Sequence, residues 1–398
     1  MYIEGSVKFA EVLDMLHNIF QANGWDITLN ERVDPFDPAK KNVLAVKTKP
    51  FIPPNSSYTV DTAPEKILVF DKNTFDIEGE GNEKIPHLRV TLCDEFNLTT
   101  RAPKVGTPQT EAMTFSFFPF KKWVQQDVQT LDSGAPDGTA GTWRRVNYQK
   151  EDYSLTGLNE GVMIRYYINI TSTRFLGVFE GDPSLGLTYD RRVNWMYAGS
   201  IKPFSSEDVP GNFALTCGTN FLDIAPAPQT LENGSWDADS RTYKTGYEEV
   251  GYTRPDTYGE ETATGRDDIL MWKTSSGLLQ QRHYPSVVTH DMNMPVGRFN
   301  ASKWTNKYYM SPVYVTHMED GFRGHLEGLM AVHNHSIIHL DQLKTTEKRI
   351  VVENDEPKEV TVLKKYKFFN INADKTALQA LANKNMGIAI LTSEEIID

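Results

Sequence analysis

The chain of 398 residues lacks the features that mark several common protein classes. Its only cysteines are Cys93 and Cys217, and no Cys-x-x-Cys or Cys/His spacing occurs, so neither a disulfide framework nor a structural zinc site is predicted. The N-terminal segment has no basic stretch leading into an apolar one, and no apolar run approaches the length of a membrane span. We therefore expect a chain made in a reducing cytoplasm, without a secretory signal and without membrane association.

Positive charge is also scarce. The chain contains 41 Lys and Arg against 53 Asp and Glu, for a net charge of -12. Binding to a phosphate backbone requires a surplus of basic side chains somewhere on the surface. The longest basic cluster is formed by Lys364, Lys365 and Lys367, which a solvated strand explains. We therefore predict no nucleic-acid binding.

One amphipathic helix is predicted near the N-terminus. Its apolar face, spaced by four and three residues, consists of Phe9, Leu13, Leu16 and Phe20. Ser6 is predicted to cap the start of this helix, and Gly24 is predicted to end it. The remaining surface of the helix is polar, so we expect the helix to pack on a sheet.

Strands dominate the rest of the chain. Aromatic residues at 11%, with 27 Gly and 21 Pro, favour strands and turns over helices. In Val162–Thr171 apolar side chains alternate with others over ten residues, and Phe175–Phe179 and Val193–Ile201 are expected to continue the same sheet. Further strands are predicted at Asn42–Thr48, Lys66–Phe70, Leu88–Leu92, Ala112–Phe118, Val313–Met318, Leu329–Val332, Ser336–Leu340, Ile350–Val352, Val360–Leu363, Tyr366–Asn370 and Ile388–Leu391. A second helix is predicted at Lys375–Asn385.

The predicted fold class is mainly β with minor α (α+β). We expect two β-rich domains, sandwich- or barrel-like, with the N-terminal helix packed on a sheet and with long irregular loops. Residues 1–204 form the first domain and residues 269–398 the second. Residues 205–268 form an acidic excursion between them, with 13 Asp and Glu against 4 Lys and Arg, and with scattered Trp and Tyr.

Histidines are the one group of residues that suggests chemistry. Seven of the nine fall between His283 and His339. His333 and His335 are predicted to share one face of a strand, with His339 four residues later, and imidazoles at such spacing bind transition metals. The same alternation arises on any half-exposed strand, and no His-Glu-x-x-His helix is present. We therefore predict no catalytic residue, no cofactor and no metal, with His333, His335 and His339 as the ligands if a metal binds. A metal-dependent hydrolase is the lowest alternative.

Aromatic clusters leave a second alternative open. One cluster spans residues 115–123, another is Trp195–Tyr197, and a third is the Tyr308–Tyr309 pair. Core packing explains such residues first, because aromatic side chains dominate core energetics. Exposed members would instead be interface anchors or stack on a sugar ring. A receptor- or carbohydrate-binding module is therefore an alternative function.

Several stretches resemble a family of large virion structural proteins of tailed bacteriophages. They are Phe20–Trp25 (FQANGW), Tyr166–Ile201 (YYINITSTRFLGVFEGDP, then VNWMYAGSI), His325–Val332 (HLEGLMAV) and Lys367–Asn370 (KFFN). The resemblance extends over most of the chain but leaves out the acidic excursion.

The resemblance implies a structural, non-enzymatic subunit of the neck, tail or baseplate of a virion. Such a subunit is assembled in the host cytoplasm and works through its surfaces. Its expected partners are other virion structural proteins and further copies of itself in a ring. No residue is assigned a functional role by the resemblance.

Overall fold

The computed structural model describes residues 1–31, 42–49, 51–52, 59, 65–76, 84–93, 96–97, 102–103, 112–118, 121–129, 143–146, 161–182, 193–203, 212–218, 235–237, 242–244, 270–273, 283–286, 309–317, 321–333, 338–353, 356–370 and 386–397.

The described residues form 24 strands and one α-helix preceded by a single turn of 3-10 helix. The helix α1 spans Val12–Ala22, and the 3-10 turn spans Phe9–Glu11. The strands are β1 (Tyr2–Lys8), β2 (Ile27–Glu31), β3 (Val43–Lys47), β4 (Ile67–Asp76), β5 (Lys84–Cys93), β6 (Phe96–Asn97), β7 (Ala102–Pro103), β8 (Ala112–Phe118), β9 (Lys121–Gln129), β10 (Trp143–Val146), β11 (Met163–Ile170), β12 (Arg174–Gly181), β13 (Val193–Ser200), β14 (Lys202–Pro203), β15 (Asn212–Gly218), β16 (Ser235–Asp237), β17 (Thr242–Lys244), β18 (Leu270–Lys273), β19 (His283–Ser286), β20 (Tyr309–His317), β21 (Gly321–His333), β22 (Gln342–Glu353), β23 (Glu356–Asn370) and β24 (Met386–Ile396).

Three large antiparallel sheets organise these strands. The central sheet has the order β1-β11-β12-β13-β15-β18, and the N-terminal sheet has the order β10-β9-β8-β5-β4-β3-β2. The C-terminal sheet has the order β19-β20-β21-β24-β23-β22, with β14 added alongside β21. Two short hairpins, β6-β7 and β16-β17, complete the described strands. The predicted class, mainly β with minor α, is confirmed, and of the two predicted architectures the layered, sandwich-like one is present.

The central sheet packs against another sheet on each of its two faces. One face packs with α1 against the N-terminal sheet and contributes Phe175, Phe179 and Met196, while the other packs on the C-terminal sheet and contributes Trp195 and Tyr197. Every residue of β12 and of β13 is buried as a result. The alternation in the sequence of β11 is confirmed on one side, because its even-numbered isoleucines lie in the core beside α1.

The helix follows its predicted apolar face but begins later than predicted. Leu13, Leu16 and Phe20 are buried between the two sheets, and Gly24, at φ +73°, ends the helix as expected. The predicted cap at Ser6 is wrong, because Ser6 lies in β1 opposite Arg165 of β11. The N-cap of α1 is Glu11, and its side chain makes no capping hydrogen bond. Pairing with a strand about 160 residues away in sequence therefore outweighed the local capping preference.

The predicted strands are recovered with two differences in the C-terminal part. Val360–Leu363 and Tyr366–Asn370 belong to one continuous strand, β23. The strand predicted at Ser336–Leu340 is wrong in its described part, because residues 338–341 form a turn in which Leu340 has φ +72°. The helix predicted at Lys375–Asn385 lies outside the described residues. The central sheet takes β15 from the predicted excursion and β18 from the predicted second domain, and the domain boundaries stay a prediction.

Candidate interaction surface

A three-stranded arm carries four of the seven exposed large apolar residues found in the described structure, namely Ile350, Val352, Ile396 and Ile397. We define the arm as residues 342–353 of β22, residues 356–366 of β23 and residues 391–397 at the end of β24. β22 and β23 pair continuously from Gln342 opposite Lys367 to Glu353 opposite Glu356. β24 continues alongside β23 as far as Ile396, and the Ile397 N–H donates to the Thr361 carbonyl. β22 forms one edge of the C-terminal sheet.

The inner face of the arm carries exposed apolar residues. This face continues the side of the sheet that packs on the central sheet, where Lys367 lies over the Tyr167 ring. Gln342 of β22 lies opposite Lys367 and so shares its face, and alternate residues along a strand lie on the same face. Ile350 and Val352 therefore belong to this inner face, where they are 71% and 74% exposed. Large apolar side chains at such exposure in a regular strand are typical of a contact surface.

The outer face of the arm carries a ring of four charged side chains. Arg349 contacts Glu347 at 2.6 Å and Glu394 at 3.4 Å. Lys364 contacts Glu347 at 2.9 Å and Glu394 at 3.3 Å. Unlike charges therefore alternate around the ring, which spans all three strands and fixes them to one another. Burial alone would raise the pKa of the Glu347 carboxyl, but its hydrogen bonds to Lys364 and Arg349 hold the pKa below its usual value.

A first polar contact fixes the root of the arm to the edge of the central sheet. The Lys367 ammonium pairs with the Glu4 carboxylate of β1 and lies 5.1 Å from the centre of the Tyr167 ring and 5.8 Å from that of Tyr2. The Tyr2 hydroxyl donates to the same Glu4 carboxylate at 2.6 Å. Contacts with two aromatic rings and a carboxylate hold this lysine more firmly than a solvated surface ion pair would hold it.

A second contact is a buried histidine–carboxylate pair. His339 Nε2 lies 3.0 Å from Glu180 Oε1, and the two side chains are 6% and 1% exposed. The Asn370 backbone N–H donates to His339 Nδ1 at 3.1 Å. Because Nδ1 accepts this bond, the ring proton is on Nε2, which donates to Glu180. His339 thus joins the end of β23 to β12 of the central sheet.

A third contact is built on a buried arginine of β12. Arg174, with a side chain 3% exposed, donates to the Asn169 side-chain oxygen at 2.6 Å and contacts Glu327 at 3.4 Å. Asn169 in turn donates to the Leu391 carbonyl at 2.7 Å, at the point where β24 enters the arm. Lys202 contacts the other oxygen of Glu327 at 3.4 Å. The three root contacts together tie the base of the arm to the central sheet.

The electrostatics of this arginine site are set by its burial. Burial alone would raise the pKa of the Glu327 carboxyl, but the charges of Arg174 and Lys202 hold the pKa below its usual value. Burial, followed by the charge of Lys202, lowers the pKa of His325 to about 4, so this imidazole is neutral near pH 7. Gly328 has φ +83°, and a Cβ there would lie 2.9 Å from the Arg174 guanidinium. A glycine is therefore required beside Arg174.

Of the histidines singled out in the sequence, the two described ones, His333 and His339, lie on different elements. His339 lies in a turn, bound to Glu180, and not on the strand that carries His333. His335 lies outside the described residues, so the predicted pairing of His333 with His335 stays a prediction. His283 and His317 are opposed across β19 and β20. Among the described residues no group of three or more His, Cys, Asp or Glu is placed to hold a metal.

Two comparisons with known proteins give no match for this chain. No protein-family model matches the sequence, and a search of curated proteins gives no significant match. Within the described part of the chain, α1 and every other helical segment are too short or too polar to cross a membrane.

Sequence reasoning missed the arm and the contacts at its root. The sequence of the arm shows three short apolar runs separated by charged residues, and local pattern alone predicts these as separate short strands. The signal that was available is the complementary Lys and Glu pattern on either side of the Asn354-Asp355 pair, residue types that are common in turns. Arg174, Asn169 and Glu180 carry no motif, because their roles depend on three elements that meet only in the folded chain.

Proposed function

We propose that the chain is a structural subunit of a bacteriophage virion, a component of the tail, neck or baseplate that acts through protein–protein interfaces in a ring assembly. The proposal rests on the resemblance of the FQANGW and Tyr166–Ile201 stretches to virion structural proteins. The observation that carries it is the arm, which presents exposed apolar residues on an open sheet edge while its base is fixed to the body.

The charge of the arm supports a role in contacts between copies. Its described residues contain six basic side chains, Lys344, Lys348, Arg349, Lys358, Lys364 and Lys365, and six acidic ones, Glu347, Glu353, Glu356, Glu359, Glu394 and Glu395. The arm is therefore neutral, whereas the whole chain carries a net charge of -12. Like-charged bodies repel one another, so a segment whose described charges balance approaches a neighbouring copy at a lower electrostatic cost than an acidic segment would.

The direct test is the composition of the particle. Virions of the phage that encodes the chain are purified on a density gradient, and the chain is quantified by mass spectrometry against a known capsid component. We expect the chain in a fixed, multiple copy number per particle, and its loss from the genome should give particles that lack one structural layer. Particles that are infectious and complete without the chain would contradict the proposal.

The alternatives predict different results for the purified protein. A carbohydrate-binding module would bind specific structures on a glycan array, and a metal-dependent hydrolase would contain stoichiometric metal. For a structural subunit we expect neither result. Assembly should instead depend on the arm, so Ile350→Lys combined with Val352→Lys should lower incorporation into particles. Ile338→Lys, at an exposed isoleucine outside the arm, is the matched control and should be incorporated normally.

A further inference from the structure

Among the described strands β22 pairs on one side only, and its other edge is unusually regular. β22 spans 12 residues and pairs with β23 without a register shift, whereas the pairing of β23 with β24 is shifted at Lys365 and Tyr366. Proteins usually interrupt exposed edges with a bulge, a proline or a short strand. β22 contains no proline and ends in the β-branched run Ile350, Val351 and Val352. The last residues of β22 therefore retain the properties of a strand that can be paired.

We propose that the tip of the arm pairs with the same segment of a second copy of the chain, antiparallel and centred on Val351. The inference deepens the proposed function and rests on it, because it names the partner of the arm. Addition of a strand to an open edge provides backbone hydrogen bonds, while the side chains determine the register. Two identical segments paired in this way are related by a two-fold axis, so each contact between unlike residues occurs twice.

The centre at Val351 brings complementary residues together on both faces. Ile350 of one copy opposes Val352 of the other on the inner face, so the two most exposed apolar residues of β22 cover each other. On the outer face, Arg349 of one copy opposes Glu353 of the other, and Val351 of one copy opposes Val351 of the other. Cross-strand apolar pairs and unlike charges in such positions stabilise a sheet. Glu353 contacts only the exposed Lys358 among the ion pairs of the arm, at 3.0 Å, so its carboxylate stays accessible.

Charge selects this register over the other possible ones. In a two-fold antiparallel pairing with both inner faces on the same side of the sheet, one residue lies opposite its own counterpart, and we call this residue the centre. Centres from 344 to 351 leave five or more residues of β22 paired. Centres at Lys344, Lys348 and Arg349 oppose a basic residue to itself, and the centre at Glu347 opposes two carboxylates. The centre at 346 opposes Lys344 to Lys348, and the centre at 350 opposes Glu347 to Glu353. The centre at 345 opposes no charges of either kind. Among these eight centres, only Val351 opposes unlike charges without opposing like ones.

The size of the contact indicates when it forms. Five residues per copy bury far less than the roughly 1,200 Å² of a stable interface, so the isolated chains should pair weakly. In an assembly, neighbouring contacts hold the arms at high effective concentration, and a weak contact is then occupied. A two-fold contact closes on itself, so it links subunits in pairs, either between stacked rings or within a ring of dimers.

Cysteine trapping tests the register. Residues opposed to their own counterpart across an antiparallel pair have Cα atoms about 4.5 to 5.5 Å apart, which a disulfide spans. The full chain carrying Val351→Cys should therefore give a covalent dimer under mild oxidation at least about tenfold faster than Lys348→Cys, whose two copies would lie roughly 20 Å apart along the strands. The unsubstituted chain, with its own Cys93 and Cys217, provides the baseline.

Charge reversal tests the side-chain contacts. Glu353→Arg, added to Val351→Cys, places the introduced arginine of each copy opposite Arg349 of the other and should slow dimer formation to near the rate of Lys348→Cys. Lys358→Glu is the matched control, because it removes the partner of Glu353 within the arm without changing the proposed contact, and it should leave the rate unchanged or raise it. Equal rates for Val351→Cys and Lys348→Cys, or no effect of Glu353→Arg, would overturn the proposed pairing.

These outcomes separate the pairing from the proposed function. A chain that is present in virions but fails the cysteine test is a structural subunit whose arm binds a different partner. A chain that passes the cysteine test but is absent from virions pairs through its arm and has another function. The circular dichroism spectrum of each variant should match that of the unsubstituted chain, since all the substituted positions lie on the arm and outside the buried layers.

Discussion

The central sheet and the arm are built from the same kind of antiparallel strand but are stabilised by different interactions. β12 and β13 are buried on both faces, and their stability comes from removal of apolar surface from water. β22 and the outer half of β23 are largely exposed and are lined by cross-strand ion pairs, and Leu343, Val360 and Val362 are their buried side chains. The central sheet is thus a scaffold that tolerates little change, whereas the arm is open to substitution and to pairing.

The largest difference in the free energy of unfolding should appear when a buried apolar side chain of the central sheet and an exposed apolar side chain of the arm are each truncated to alanine. Phe175 of β12 is fully buried and contacts the rings of Phe20 and Phe70. Phe175→Ala should lower the free energy of unfolding by about 3–5 kcal/mol, because it removes apolar contacts and leaves a cavity. Ile350→Ala in the arm should change it by less than about 0.5 kcal/mol. Denaturant unfolding of both variants checks the contrast, and comparable losses would refute it.

A second effect should appear as a pH dependence of the free energy of unfolding, caused by His325 of β21. The pKa of His325 is about 4 in the folded chain and about 6.5 when unfolded. Below pH 6.5 the unfolded chain binds a proton that the folded chain does not, so stability falls as the pH falls from 6.5 to 4. The loss should reach about 3 kcal/mol at the acid end of this window.

The matched variant for the pH effect is His325→Gln. A glutamine does not titrate, so its unfolding free energy should lack the part of the pH slope that His325 contributes between pH 6.5 and 4. Urea unfolding at a series of pH values measures both slopes. Parallel curves for the two proteins would show that His325 is not the group responsible.

The sequence was informative where local pattern and tertiary contact agree. The apolar face of α1 and the alternation in β11 could be predicted because each is a periodic signal along one segment. Burial of β12 on both faces could not be predicted, because it requires knowing that two other sheets pack on it. Ser6 failed as a cap for the same reason, since its partner Arg165 is distant in sequence. The arm and its root depend on residues far apart in the chain, and no local pattern contains that information.

A third effect concerns the junction of the two regions. Asn169 accepts from the buried Arg174 and donates to the Leu391 carbonyl. Asn169→Ala should cost about 2 kcal/mol, because the buried Arg174 loses one of its acceptors and the Leu391 carbonyl loses its donor. Asn169→Asp keeps an acceptor for Arg174 and should cost less. Hydrogen exchange at residues 391–397 should rise in the alanine variant, and unchanged protection there would argue against Asn169 as a root contact.

The smallest effect should come from the ring on the outer face of the arm. Glu394 contacts Arg349 and Lys364 at 3.4 and 3.3 Å, and its side chain is 34% exposed. Glu394→Gln should therefore cost less than about 1 kcal/mol, because exposed ion pairs are weakened by solvent and by the entropy of fixing long side chains. The difference from the unsubstituted chain should shrink in about 1 M salt, where screening acts within a few ångströms. Glu356→Gln, at the start of β23 and outside the ring, is the control and should show neither effect. A salt-independent loss for Glu394→Gln, of the size expected for Asn169→Ala, would mean that the arm is held by buried contacts like those of the body, and the contrast between the two regions would no longer hold.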